Sequence, residues 1–428
     1  MKEINKKLFD FIEASPTAFH TVREAERKLL DTGFIRLEES EEWRLERCGS
    51  YYTTRNGSSL IAFRIPEDIN GFMIGAAHSD SPCFKIKDNP DFKSGQFVRL
   101  STEKYGGMIC ATWLDRPLGV AGRIAVRTAS GVETRLVDLS DPVCIIPSVA
   151  IHMNRNANDN VSYNPAVDMV PLAGIGDGFS LLSSVAASSG IKKEDIIGHD
   201  LYLYNPEKGI EFDGLISSPR LDDLECVFAL TEAFSAAPGK AASVMCIFDN
   251  EEVGSATRQG AASTFLRDVL RRISDSFGMN EDCIRRTIAS SMMLSFDNAH
   301  AVHPNHPEYS DKNNSVVMNG GIVIKHNASY KYTTDAVSSA LFRLICEKAG
   351  VPTQNYANRS DIPGGSTLGA IASTKVSAIA ADIGLAQLAM HSSYETAGAD
   401  DLGYLISALK TFFSSSVVSE RDGRYVLN

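Results

Sequence analysis

The chain of 428 residues exceeds the usual size of one compact core, which predicts two domains. Hydrophobic residues make up 43% of it and charged residues 22%, the composition of an ordinary globular protein. The net charge of −11, with no local basic patch, argues against a nucleic-acid partner.

Redox and targeting features point to the cytoplasm. The eight cysteines form no Cys-x-x-Cys pair and several lie in apolar runs, as free thiols do in a reducing compartment. The first residues contain no apolar signal core, and no stretch approaches the ~20 apolar residues of a membrane span. We therefore expect a cytoplasmic protein without a membrane partner.

The N-terminal part is predicted to form two helices and then strands. Residues 3–13 are amphipathic, and Ser15-Pro16 starts a second helix that ends at Gly33. A buried strand at residues 72–77 then ends in His78-Ser79-Asp80. A metal-binding histidine usually donates its other N–H to an acceptor, so Asp80 is suited to orient His78.

The sequence pattern changes between about residue 85 and about residue 207. Short alternating segments separated by Gly, Pro, Asn and Asp predict a mostly β region there. We interpret residues 85–207 as an inserted domain, with residues 1–84 and 208–428 forming the domain that it interrupts. His152 lies in the insertion and, as a lone histidine, is interpreted as a structural residue.

The acidic pair Glu251-Glu252 follows a predicted buried strand at residues 243–249. Two adjacent carboxylates at a strand end are unfavourable unless a cation lies beside them. On extended backbone their side chains point in different directions. The hypothesis is that Glu252 binds a metal ion and Glu251 is a general base. The alternative is a plain acidic turn before a helix that is expected from about residue 256.

Residues suited to metal binding also accompany other predicted elements. Asp297 ends a strand predicted over 287–296, His391 follows a strand predicted over 375–383, and Asp222 begins a helix. Alternating strands and helices build a mixed sheet flanked by helices, with sites beyond the carboxyl ends of the strands. Two histidines and three carboxylates, without sulfur, suit a pair of Zn²⁺-like ions that activate water for amide hydrolysis.

The order of these motifs resembles the aspartyl aminopeptidase and vacuolar aminopeptidase I family of dizinc metallopeptidases. The matching stretches are Ser15 to His20, Ala77 to Pro82, Thr112 to Leu118, Ser218 to Leu224, Asp249 to Ser255, Asp297 to Asn305 and Met390 to Ser392. The resemblance implies an α/β catalytic domain and an inserted, mostly β domain that mediates dimerisation.

The resemblance also implies a role for each site residue. One metal ion is expected on His78, Asp222 and Asp297, and the second on Asp222, Glu252 and His391. Glu251 is expected as the general acid/base, with Asp80 orienting His78. His152 is expected to reach a neighbouring subunit's active site and to help hold the substrate carbonyl. The Asp222–Asp223 peptide bond is expected to be cis.

The implied activity is removal of N-terminal residues from peptides with a free N-terminus. Two Zn²⁺ ions are the expected cofactors, with Co²⁺ or Mn²⁺ able to substitute, and dimers are expected to assemble into a tetrahedral dodecamer. Lys325 resembles a family lysine associated with acidic substrates, which favours Asp or Glu and leaves a neutral, Leu-like residue open. A dizinc deacylase or carboxypeptidase is the alternative activity, and a non-catalytic scaffold or cargo protein is the third hypothesis.

Overall fold

This computed structural model describes residues 2–237 and 241–428, except for the side chain of Ser140. Nine α-helices flank or connect the sheets within the described residues. They are α1 Glu3–Glu13, α2 Ala18–Asp31, α3 Leu181–Ser189, α4 Leu221–Ala236, α5 Phe265–Ser276, α6 Glu281–Ala289, α7 Ala336–Ala349, α8 Leu368–Ala372 and α9 Asp401–Phe413. Within the described ranges, no helix combines the length and the apolar character needed to cross a bilayer.

The strands fall into three groups along the chain. The first group is β1 Ile35–Arg36, β2 Ser50–Arg55, β3 Ser59–Arg64 and β4 Phe72–His78. The second group is β5 Cys83–Ser94, β6 Phe97–Tyr105, β7 Pro117–Arg127, β8 Val132–Ile145, β9 Leu172–Ile175 and β10 Ile196–Tyr204. The third group is β11 Ile210–Phe212, β12 Leu215–Ser218, β13 Ala242–Phe248, β14 Met292–Phe296, β15 Ala299–His300, β16 Ile322–His326, β17 Thr353–Ala357, β18 Ile379–Gly384, β19 Ala386–Leu388, β20 Glu395–Gly398, β21 Val417–Arg421 and β22 Arg424–Leu427.

A nine-stranded mixed sheet forms the centre of the molecule, in the order β1-β2-β3-β13-β4-β14-β18-β16-β17. Strands β13, β4, β14 and β18 run parallel to one another, so their carboxyl ends meet at one edge. Helices α4 and α9 pack on one face of the sheet and α5 packs on the other. Burial on both faces explains the continuous apolar runs of these strands. The predicted α/β class, a mixed sheet flanked by helices, is confirmed.

The second group of strands closes into a barrel, in the order β10-β5-β6-β9-β8-β7. The barrel has its own apolar core, which includes Phe84, Trp113, Val120 and Leu201. The mostly β character predicted for this region is therefore confirmed. The division at residues 85 and 207, and a dimerisation role for the region, stay predictions.

Four predicted elements begin later in the structure than expected, among them the second helix, which begins at Ala18, and the strand predicted over 375–383, which begins at Ile379. The helix expected from about residue 256 begins only at Phe265, after a single 3₁₀ turn at Glu251–Val253. Gly254 (φ 94°) and Ser255 (φ 59°) both adopt left-handed backbone, which stops the helical path. The strand predicted over 287–296 begins at Met292, because its first three residues complete α6, a helix capped at its start by the Asn280 side chain.

Candidate active site

Five predicted ligands converge at one edge of the central sheet. His78 ends β4, Asp297 follows β14, and Glu252 lies in the 3₁₀ turn after β13. Asp222 lies in the first turn of α4, and His391 lies in the loop between β19 and β20. The register of the parallel strands brings the ends together, since Phe248 of β13 pairs with His78. The peptide bond between Asp222 and Asp223 is cis.

Two groups of three ligand atoms share the carboxylate of Asp222. One group is His78, Asp222 and Asp297, the other is Asp222, Glu252 and His391, and within each group the atoms lie within 4.8 Å of one another. Each oxygen of Asp222 faces a different histidine: Oδ1 is 3.5 Å from His78 Nε2, and Oδ2 is 3.4 Å from His391 Nε2. A third group within the same distance is His78, Glu251 and Glu252.

Burial and like charge perturb the carboxyl groups of the cluster. Burial raises the pKa of Glu251 to about 7, opposed by His78 and reinforced by Asp297. Burial likewise raises the pKa of Glu252. For His391 burial works against the charged form, but its contacts with Asp222 and Glu252 prevail and raise its pKa to about 10. Such crowding of buried carboxylates is what a bound cation would relieve.

The donor set fits zinc. Imidazole nitrogens and carboxylate oxygens are ordinary zinc ligands, and the groups contain no sulfur. Asp222 Oδ1 is buried and makes no hydrogen bond to any described residue. Buried polar atoms are seldom left unpaired, so this oxygen is free for an electropositive partner.

Asp80 supports the cluster in two ways. His78 Nδ1 lies 3.0 Å from the backbone carbonyl oxygen of Asp80 and 3.5 Å from its carboxylate Oδ1. The hydrogen bond of His78 Nδ1 therefore goes to the backbone carbonyl of Asp80 rather than to its carboxylate. The carboxylate instead accepts the backbone N–H groups of Glu251 (3.1 Å) and Glu252 (3.2 Å).

Sequence reasoning missed three other partners of the site. Glu395 accepts hydrogen bonds from the backbone N–H of Asp222 at 3.0 Å and of His391 at 2.7 Å, and thus joins two of the predicted ligands. Tyr105 donates to Asp80, and the carbonyl of Gly107 lies 2.8 Å from His391 Nδ1. The two glycines after Tyr105 were a usable signal, because paired glycines often mark close backbone approach.

Lys325 and His152 differ in their relation to the cluster. Lys325 is only 2% exposed, and its Nζ lies 3.4 Å from Asp297 Oδ2, which places the amine beside a predicted ligand. His152 lies in an exposed turn of the barrel region. No described hydrogen bond or ion pair joins His152 to the ligand cluster of its own chain. The structure thus brings Lys325 to the site and leaves His152 apart from it.

Comparison with known proteins identifies the family. The family described as aminopeptidase I zinc metalloprotease (M18) matches residues 11–413. A Clostridium novyi protein named probable M18 family aminopeptidase 2 is 45% identical, over 95% of this chain and 98% of the relative. A Pseudomonas paraeruginosa protein of the same name is 38% identical, over 97% of this chain and 99% of the relative. The solved structure of the S. cerevisiae mApe1 dodecamer is 28% identical, covers 96% of both chains and superposes with a TM-score of 0.84. The chain therefore belongs to the M18 family of zinc metalloproteases and is a zinc aminopeptidase.

Proposed function

We propose that this aminopeptidase binds two zinc ions through the ligand groups that share Asp222 and uses Glu251 as its general acid/base. The observation that carries the proposal is the pair of three-residue groups around one buried carboxylate. Bound zinc would polarise the scissile carbonyl and lower the pKa of a water molecule. Co²⁺ or Mn²⁺ is expected to substitute, since nitrogen and oxygen ligands accept these ions too.

The protein's own groups prepare the ligands. The Nδ1 atoms of His78 and His391 face the backbone carbonyls of Asp80 and Gly107, so each ring presents Nε2 to the cluster. Asp222 presents Oδ1 to His78 and Oδ2 to His391, so that each ligand group receives one of its carboxylate oxygens. Its backbone N–H is fixed by Glu395.

Glu251 is placed for proton transfer. Its backbone N–H is held by Asp80, whereas no described residue hydrogen-bonds to its carboxylate. The carboxylate is therefore free to take a proton from water and to return it to the departing amine of the peptide. Glu252 differs because its Oε1 lies 3.4 Å from His391 Nε2, which favours the ligand role.

Zinc content and substrate choice test this proposal. The wild type should hold two zinc ions per chain and His391→Ala one, with His303→Ala as a control at an exposed histidine. The enzyme should release the N-terminal residue from unblocked peptides. Cleavage of only N-acylated peptides would favour the deacylase alternative, and zinc binding without hydrolysis would favour the scaffold.

We propose a preference for acidic N-terminal residues, supported by the buried amine of Lys325 beside Asp297. An acidic substrate side chain would share this amine with Asp297, whereas a Leu-like side chain would gain nothing from it. Lys325→Met should therefore lower kcat/KM for Asp and Glu substrates by about 10- to 100-fold relative to Leu, as expected for one hydrogen bond to a charged group. An unchanged preference would remove Lys325 as the selector.

We also propose that the chain forms dimers that assemble into a tetrahedral dodecamer. The described surface near His152 exposes apolar side chains, including Val149, Ile151 and Met153, the last 83% exposed. Apolar surface of this kind marks interaction sites. In such an assembly His152 would serve the active site of a neighbouring subunit. Sedimentation equilibrium gives the stoichiometry directly, and a monomer at micromolar concentration would contradict the proposal.

A further inference from the structure

Tyr105, the last residue of β6, connects the barrel to the active site. Its hydroxyl donates to Asp80 Oδ2 at 2.7 Å and accepts from Asn250 Nδ2 at 2.9 Å. Asp80 in turn accepts the backbone N–H groups of Glu251 and Glu252. One carboxylate therefore joins a barrel side chain to the proposed acid/base and to a proposed ligand.

The hydroxyl of Tyr105 is fixed within a chain of hydrogen bonds. The side-chain oxygen of Asn250 accepts from Thr257 (2.9 Å) and Gln259 (2.8 Å), which orients the amide toward Tyr105. The Tyr105 ring also packs edge-on against Tyr202, with 5.7 Å between the ring centres. In a buried network of this kind, loss of one member leaves the others poorly paired.

The residues after Tyr105 approach the second ligand group. The carbonyl of Gly107 lies 2.8 Å from His391 Nδ1. A Cβ atom added to Gly106, whose φ is +78°, would lie 3.1 Å from the Cβ of Glu252. The turn that leaves the barrel thus lies against Glu252 and His391, two members of the second ligand group, and Tyr105 adds its hydrogen bond to Asp80.

We propose that Tyr105 is a positioning residue that acts through Asp80: it fixes the turn bearing Glu251 and Glu252, and so sets zinc retention and turnover. The inference rests on the ligand and acid/base roles proposed above. It assigns to the barrel a part in building the active site of its own chain, separate from any contact between subunits.

The test compares two matched substitutions in the full-length enzyme. Tyr105→Phe removes the hydroxyl that holds Asp80. Tyr202 lines, together with Tyr105, a cavity of about 50 Å³. Tyr202→Phe removes a hydroxyl that makes no hydrogen bond to a described residue. Zinc affinity is measured by competition with a chelator, and the Co²⁺-substituted enzymes are compared by visible absorption.

Tyr105→Phe should weaken zinc binding and lower kcat by about 10- to 100-fold, with KM little changed, as is typical when an outer hydrogen bond of a metal site is lost. Its cobalt spectrum should shift, and Tyr202→Phe should match the wild type in all three respects. In an Asp80→Asn background, Tyr105→Phe should add less than about threefold, because the partner through which it acts is already altered.

Equal zinc affinity, spectrum and kcat in the two Phe variants would overturn the inference, as would a full effect of Tyr105→Phe in the Asp80→Asn background. His78→Ala separates this outcome from failure of the proposed ligands: retention of both zinc ions there would refute the ligand assignment itself. If Tyr105→Phe does not fold, Asn250→Gly interrupts the same chain of hydrogen bonds at a position whose φ of 63° suits glycine. Wild-type zinc affinity in that variant would also overturn the inference.

Discussion

Replacing Glu251 by Gln removes the proposed acid/base group and little else. The substitution preserves the volume of the side chain and the hydrogen bond from its backbone N–H to Asp80. No described hydrogen bond of the side chain is lost. The variant should therefore keep its fold and both zinc ions, and should lose the proton transfer alone.

The expected loss follows from the chemistry of proton transfer. General acid/base catalysis typically contributes about 10²- to 10⁴-fold, or roughly 3 to 5 kcal/mol of barrier. Because both ligand groups that share Asp222 omit Glu251, zinc content should stay at two ions per chain. Steady-state kinetics with an unblocked peptide and elemental analysis of the same sample measure the two quantities together.

Glu252→Gln is the matched control, since it makes the same change one residue later. It should lose the zinc ion that Glu252 shares with Asp222 and His391. If Glu251→Gln lost zinc while Glu252→Gln kept it, the two roles would be exchanged. The third group, in which Glu251 lies near His78 and Glu252, makes this a real alternative.

Three further outcomes are expected. Removing both zinc ions with a chelator should lower the melting temperature by about 9 °C if free zinc was present at a thousand times the Kd of each site, because each site then contributes about 4 kcal/mol. Re-addition of zinc should restore the melting temperature, and no change on removal would mean that the sites are empty in the purified enzyme. Burial lowers the pKa of His20 to about 3 from its ordinary 6.5, so the unfolded chain binds the extra proton and stability falls as pH drops from 6.5 toward 3, by at most about 1.4 kcal/mol per unit. His20→Gln should flatten the dependence of the unfolding free energy on pH over that window, as measured by denaturant unfolding at a series of pH values. Mixed oligomers of His152→Ala and Glu251→Gln subunits should regain activity that neither has alone; absence of such rescue would place His152 outside the neighbour's site.

The sequence predicts the strand ends well because their signal is local. His78 and Asp297 follow runs that are buried on both sides of the sheet, and the apolar residues of such runs are visible without a structure. The same reasoning found the acidic pair after β13. That reasoning placed the start of the following helix too early. Ser255 adopts left-handed backbone, which is rare for a serine and which no sequence pattern indicates.

The supporting hydrogen bonds lay beyond sequence reasoning. Tyr105 meets Asn250 across 145 positions, and Gly107 meets His391 across 284. The second contact uses a backbone carbonyl, a group that every residue possesses. The sequence also could not predict which oxygen of Asp80 contacts His78. The closer one is the backbone oxygen, which every residue possesses, rather than the carboxylate.

The long sequence separation between Gly107 and His391, which contact each other in the folded chain, has a consequence for biosynthesis. At about 5 to 20 residues per second, the ribosome needs roughly 15 to 60 seconds to make the 284 positions between them. During that interval the barrel strands can pair, but the emerging chain lacks His391, one of the two proposed histidine ligands. A partly made chain therefore cannot assemble the second proposed ligand group, and on the proposed mechanism we expect the nascent chain to have no peptidase activity until synthesis has passed His391.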